Sequence, residues 1–262
     1  MSAATRADAD RTVTAPEAGG SACRLYGIVP ADIRTVGPVR LVTHREVAGL
    51  VAPAPASSAG PTRQDLLGYA EVLDRVAATA PVLPVRYGTV LPSDEAVRRD
   101  VLAPHHDTFA AALSRLAGRA QFTVQARYLP DVALREVLAE RPDARRLHQR
   151  MRARPAVGLR MRLGEMVANG IARKRRTDAE ALARALGRHA TAARVRLWQS
   201  AEVDPIGEVA FLVELARRER FEAAAEQLAR DWRDRVRLRL LGPMAPYHFV
   251  SGGPTAGRGR WG

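Results

Sequence analysis

Residues 81–97 read P-V-L-P-V-R-Y-G-T-V-L-P-S-D-E-A-V, and the fold follows from how this stretch is resolved. Val82 to Tyr87 has the composition of a buried strand. Pro84 has no N–H to give to a neighbour, so the strand belongs at a sheet edge, paired on one side. Gly88 relaxes the backbone where the strand ends. Pro92 and Ser93 then open a helix, with the Ser93 hydroxyl as its cap. Asp94 and Glu95 fall in the first turn, where negative charge suits the helix dipole. Arg86 is expected to point off the strand on the face opposite Val85 and Tyr87, meeting a carboxylate or helix-end carbonyls.

Working outward, Arg24–Val29 reads as a first strand, and Val39–Thr43 with Val47–Val51 as a hairpin bent at His44, Arg45 and Glu46. Thr62-x-x-Asp65 caps a helix whose Leu66, Ala70, Leu73, Ala77 and Ala80 share a face. A second helix carries Val97, Val101, Phe109, Leu113 and Leu116; Pro104 must kink or split it, and Gly118 ends it. Gln121–Tyr128 alternates polar and apolar residues, the pattern of a half-buried antiparallel strand. Strands and helices in this order predict an α+β fold, with a ferredoxin-like split sandwich over 22–130.

Residues 131–190 read as helix, with Leu159, Leu163, Met166, Val167 and Ile171 in one stripe and Leu182, Leu186 and Ala190 resuming it. Thr177-x-x-Glu180 could restart the helix there. Strands Ala193–Gln199 and Ile206–Val213, a helix around Phe221, Ala225, Leu228 and Trp232, and strand Arg235–Leu241 complete a second domain over 131–250. It combines long helices with a small antiparallel sheet. Residues 39–92 and 193–246 share one order: strand, strand, helix, strand, then a Gly…Pro turn at Gly88/Pro92 and Gly242/Pro246. This is the mark of a structural repeat. The segments 1–21 and 251–262 are polar, rich in small residues and Pro, and are expected to be disordered.

Four further blocks keep company with the corner: L-Y-G-I-V (25–29), V-R-L-V-T-H-R-E-V-A-G-L-V (39–51), V-A-F-L-V (209–213) and L-G-P-M-A-P-Y-H-F-V (241–250). In this order and spacing they resemble the gas-vesicle protein F/L family of accessory proteins, over roughly residues 24 to 250. The Gly242, Pro243, Pro246 and Tyr247 of the last block, with Pro84, Arg86 and Gly88 of the corner, are the structural motif residues of this resemblance. Where the family usually reads G-P-W-P-P-Y-S-F, this chain has Met244, Ala245 and His248. Glu208 stands where asparagine is usual. These departures blur whether the chain is F-like or L-like. The resemblance implies a cytoplasmic, non-enzymatic factor of gas vesicles that contacts the small hydrophobic shell protein and other accessory proteins during assembly.

Composition sets limits beside this. The 262 residues are 47% apolar and 26% charged, enough for a sizeable core. No apolar run approaches the roughly 20 residues needed to span a bilayer. The N-terminal stretch carries Asp8, Asp10 and Glu17 without an apolar core segment, so it does not read as a secretory signal. Cys23 is the only cysteine, which excludes an internal disulfide and a cysteine-based zinc site. Neither a phosphate-cradling glycine loop nor a metalloprotease or serine-hydrolase motif occurs. His105 and His106 point about 100° apart on a helix and cannot share a metal. The sequence therefore implies no catalytic residue, no cofactor and no metal.

The formal net charge is +13, almost all of it arginine, with Lys174 the only lysine. Between Arg141 and Arg176 twelve basic residues face only Asp143 and Glu165, a net +10. This basic helical limb, centred on Arg173, Lys174, Arg175 and Arg176, is the expected partner-binding surface. A second reading is an RNA-binding protein built on a ferredoxin-like sheet. Against nucleic acid stand the missing aromatic RNA-recognition motif and an aromatic content of 5%. An enzyme of a type without local motifs is a third.

Overall fold

The computed structural model describes residues 21–34, 38–54, 62–153, 157–198 and 204–250; of the segments 1–21 and 251–262 expected to be disordered, all but residue 21 lie outside them. The chain is α+β, with two antiparallel sheets. The first is built from β1 (Cys23–Pro30), β2 (Arg40–His44), β3 (Val47–Pro53), β4 (Leu83–Pro84) and β5 (Val90–Leu91). Its order is β2-β3-β1-β4, with β5 also paired to β1. The strand expected over Val82–Tyr87 is thus only two residues long. Pro84 takes the edge place its missing N–H demands, paired to Gly27 alone.

This sheet is covered on both faces, not on one. Helix α1 (Arg63–Ala77) sets Tyr69, Leu73, Val76 and Ala77 against Val29, Ala48, Leu50 and Val82. On the opposite face Val97, Leu102, Phe109, Leu113 and Leu116 pack on Leu25, Ile28, Val42, Val47 and Val51. Residues 47–51, apolar at every position, carry the signal: alternation disappears where both faces are dry. Thr62 and Asp65 form the reciprocal cap of α1, and the Ser93 hydroxyl accepts from the Ala96 N–H to cap α2 (Asp94–Ala96). The helical run expected from Val97 is divided just ahead of Pro104. A wide π-turn over Val97–Leu102, with the Ala103 N–H bonding the Arg98 carbonyl, leaves Pro104 in the first turn of α3 (Ala103–Leu116), where no N–H is missed.

Strand β6 (Arg119–Tyr128) was expected to close the first domain, and here the structure corrects the sequence. It pairs with β8 (Pro205–Glu214) and β9 (Val236–Met244) at the centre of a second sheet of order β7-β8-β6-β9, with β7 (Ala192–Leu197) at one edge. We propose a two-unit division with its boundary drawn at Gly118 rather than at 130. The expected internal echo is visible in the topology. In each unit the third strand lies between the second and the first, and the fourth flanks the first. The second unit has both crossovers of the ferredoxin-like βαββαβ order; in the first, the segment between β1 and β2 holds no described helix.

Between β6 and β7 run α4 (Val132–Glu140), α5 (Pro142–Ala153) and α6 (Val157–Gly187). Helix α6 is continuous through Thr177, so the expected restart there does not occur. At 31 residues it is about 46 Å long. Its C-terminal half sets Ile171, Ala179, Leu182 and Leu186 on the second sheet, beside Phe221 of α7 (Arg218–Trp232), which meets Phe122 and Phe211. Its N-terminal half packs on α4 and α5 through a small cluster of Ala144, Leu147 and Leu163, with Val167 also reaching the core of the second sheet. The result is a helical limb beyond the edge of the sheet core.

Candidate docking surfaces

The limb presents Arg145, Arg146, Arg150, Arg152, Arg160, Arg162, Arg173 and Arg176 to solvent. Near its start Val157 and Met161, one turn apart on α6, are 74% and 65% exposed. Of the four residues expected at its centre, Arg173 and Arg176 are exposed and Arg175 is half-buried. Lys174 is not on the outer face. Its side chain is 13% exposed and its ammonium bonds Glu136 at 2.8 Å and Glu140 at 2.6 Å, both on α4. Burial depresses its pKa, but the two carboxylates outweigh that and hold it above the ordinary lysine value. A groove of about 340 Å³ lies alongside, lined by Val137, Gly170, Arg173, Lys174 and Thr177 among others.

Lys174 is the outer end of a polar network that sequence reading missed. Glu136 also bonds Arg235, in the turn that leads into β9, at 2.6 Å, Arg235 bonds Asp178 of α6, and Asp178 accepts from the Tyr128 hydroxyl of β6. Burial and the adjacent Asp178 carboxylate push the Tyr128 pKa well above the usual phenol value. The network ties α4, α6, β6 and the turn before β9 together in a partly dry setting, where half-paired charges would be costly. One signal was available. Asp178 falls seven residues after Ile171 and four before Leu182, a carboxylate in register with the apolar stripe.

The C-terminal motif straps the two units. Gly242 adopts φ +131°, and a side-chain carbon there would come 2.8 Å from the Gln121 carbonyl oxygen, so only glycine lets β9 pass so close to β6. The peptide to Pro243 is cis. The Ala245 N–H donates to Asp74 of α1 at 2.8 Å, and Ala245 is fully buried in the first unit's core. Tyr247 hydrogen-bonds Asp74 as well, and burial raises the Asp74 pKa against these bonds. Phe249 and Val250 pack with Leu212 beneath α3. Met244 and His248, two of the departures from the family pattern, both meet the buried Gln121 amide. His248 also lies 3.5 Å from Glu208, a third departure.

At the corner, Gly88 takes φ +84° and the Arg86 carbonyl accepts from the N–H and hydroxyl of Thr89. The Arg86 side chain is exposed. Pro84 holds the sheet edge, Pro246 accepts the Phe249 N–H in a closing turn, and the Tyr69 hydroxyl bonds the carbonyls of Tyr26 and Val85.

The family described as gas vesicle synthesis protein GvpL/GvpF matches residues 22–251. The chain belongs to this family. It is 32% identical over 215 residues to gas vesicle protein F of Streptomyces sp. (strain CB03234), a match covering 81% of this chain and 88% of that protein. To gas vesicle protein L of the same strain it is 29% identical, over 86% of this chain and 88% of that one. Its fold is similar to the crystal structure of GvpF from Anabaena sp. PCC7120, with a TM-score of 0.72 at 21% identity. That match covers 88% of this chain and all of the other. GvpF from Microcystis aeruginosa gives a TM-score of 0.70 at 20% identity, covering 87% and 98% of the two chains. Membership in the GvpL/GvpF family ties this chain to gas vesicle formation. Among the described residues no helix is long and apolar enough to cross a membrane.

Proposed function

We propose that this chain is a non-enzymatic accessory protein of gas vesicle formation, working in the cytoplasm by binding the small hydrophobic shell protein and other gas vesicle proteins. The basic limb carries this reading. Its outer faces hold arginines at a density that repels, and each like-charged pair one turn apart, such as Arg146 and Arg150, costs a few tenths of a kcal/mol. An acidic partner surface would relieve that repulsion. Val157 and Met161, exposed within the same basic setting, offer an apolar anchor beside the charges. Because Lys174 is held by Glu136 and Glu140, the docking charge is assigned to Arg173 and Arg176 together with Arg160 and Arg162.

The test is co-purification with the other vesicle proteins at low and at high salt, for wild type and for Arg160, Arg162, Arg173 and Arg176 all changed to Gln. Charge-driven docking weakens with salt and with the substitutions. Capture indifferent to both would end the reading. RNA retained tightly by the wild type would favour nucleic-acid binding instead.

A further inference from the structure

We infer that the free edge of β7 is a docking site for an acidic, extended segment of a partner protein, which joins the second sheet as an added strand. Strand β7 ends the order β7-β8-β6-β9, and among the described residues β8 is the one strand that pairs with it. Every other residue of an edge strand turns its N–H and C=O away from its neighbour, so half of the main chain is left for another chain to bond. The register with β8 runs from Ala192 opposite Leu212 to Leu197 opposite Gly207 without a shift, and no proline or glycine interrupts β7. The strand is therefore a regular template about 20 Å long.

The other sheet edges are blunted. Strand β4 is two residues long and contains Pro84. On β2 the Thr43 carbonyl is held by Nε of Arg98 at 3.3 Å, and Arg40 is clamped by Asp94. Strand β9 is broken by a register shift near its C-terminal end, carries Pro243, and keeps Val236 buried with Leu238 and Leu240 against the core. Strand β7 differs. From Arg194 to Leu197 all four residues are exposed, so neither face of this stretch is covered. Ala193 packs on the core beneath α6 and α7, and alternation places Val195 and Leu197 on the same face. Yet these two are 46% and 36% exposed, an apolar pair beside an open main chain.

Charge selects the occupant. Arg194 and Arg196 project from the opposite face to Val195 and Leu197. Arg196 lies 3.5 Å from Glu208 and is still 69% exposed. Arg194 rests on the Ala193 carbonyl and over the Phe249 ring, is exposed, and makes no ion pair among the described residues. These two arginines exclude a second copy of the chain as the added strand. Antiparallel pairing centred on Val195 would set Arg194 opposite Arg196 of the other copy, and a centre on Arg194 would set it opposite itself. A segment that alternates carboxylates with β-branched aliphatic residues answers both faces. Its carboxylates lie beside the arginines and its apolar side chains extend over Val195 and Leu197. Main-chain pairing carries the contact and the arginines set the sign of the partner, so the pair of Arg196 with Glu208 can stay in place. The chain's own segment 251–262 carries Arg258 and Arg260 and no carboxylate, so charge excludes it as the added strand. This edge is separate from the limb, and the inference stands whether or not the limb docks a partner.

The experiment titrates the full chain with a fluorescent peptide of about ten residues alternating Glu and Val, read by anisotropy at about 50 mM salt. A twin N-methylated along its backbone keeps every side chain and charge but has no N–H to give, so it separates strand pairing from attraction to the basic limb. The twin should bind at least about tenfold more weakly. Arg194→Glu should weaken the Glu/Val peptide and admit a Lys/Val peptide that the wild type rejects, whereas Arg218→Glu on α7 should change neither. Hydrogen exchange should slow in β7 when the peptide binds. The inference is overturned by a wild type that does not bind the peptide, by equal binding of the N-methylated twin, by equal loss in the two arginine variants, or by protection confined to the limb. Protection of β7 that grows with protein concentration alone, or that is lost on removing residues 1–20, would assign the edge to a second copy or to the chain's own N-terminal segment and overturn it as well.

Discussion

Lys174 and its neighbours Arg173 and Arg176 make the sharpest test, because the structure turns Lys174 inward to two carboxylates and leaves Arg173 and Arg176, the proposed docking charges, exposed. Lys174 is 13% exposed and holds two carboxylates of α4, at 2.8 and 2.6 Å. Glu140 is 62% exposed and would rehydrate if the lysine were removed, so that half of the interaction is screened to under about 1 kcal/mol. Glu136 is more enclosed but keeps Arg235 at 2.6 Å, which limits the loss to roughly that of one charged hydrogen bond in a partly buried site. Lys174→Gln should therefore cost about 2 kcal/mol. In a chain of this size that lowers Tm by about 4–8 °C. Arg173→Gln with Arg176→Gln removes two exposed like charges and should move stability by no more than about 0.5 kcal/mol. Urea and thermal unfolding are compared with partner capture, the latter measured well below the lowest midpoint. Lys174→Gln should be destabilised yet still capture, and the arginine pair should be stable and capture poorly. A Lys174→Gln protein of native stability that loses capture would refute the division.

Asp178→Ala leaves the Tyr128 hydroxyl without its acceptor and Arg235 with Glu136 alone, and should cost about 3 kcal/mol by urea unfolding, whereas a surface carboxylate change such as Glu180→Ala should cost almost nothing. Asp74→Ala should loosen the strap by about 1–2 kcal/mol, while Asp74→Asn keeps an acceptor for Ala245, sheds a carboxylate that burial disfavours, and should be close to neutral; equal effects would mean Asp74 is not the strap's acceptor. His106 is held above its usual 6.5 by Asp107 and Glu46, so the stability it adds is complete below that value and fades as pH rises through the folded pKa. The Tm gap between wild type and His106→Gln should accordingly be wider at about pH 6 than at about pH 9, and a gap that widens with pH would reverse the assignment. Gly242→Ala should disrupt the β6–β9 crossing, read as lost hydrogen-exchange protection in both strands, since its new carbon meets the Gln121 carbonyl at 2.8 Å.

The family and the α+β class were legible because they rest on local chemistry. Pro84 could occupy only a sheet edge, Thr62 with Asp65 and Ser93 announced their caps, and the matching orders of 39–92 and 193–246 foretold two sheets with one strand plan. The last block, from Gly242 to Tyr247, was recognisable as a motif. That it ties Asp74 of α1 to the second unit's final strand was not, since those partners lie 171 residues apart.

What only the tertiary structure decided is which distant group each residue meets. The alternation of Gln121–Tyr128 reads as a half-buried strand, yet Gln121 and Thr123 are buried as well, and alternation does not say which sheet the strand joins. The choice fell to β8 and β9, which pair with it along its length. Charge run together in sequence is likewise divided by helix geometry, because successive residues turn by about 100°. Arg173 and Arg176 therefore face water while Lys174 between them turns to Glu136 and Glu140. The arginines of β6, β7 and β9 show the converse. They are scattered from 127 to 239 in the chain and are gathered on one face by strand register, a long-range pairing that composition and periodicity do not encode.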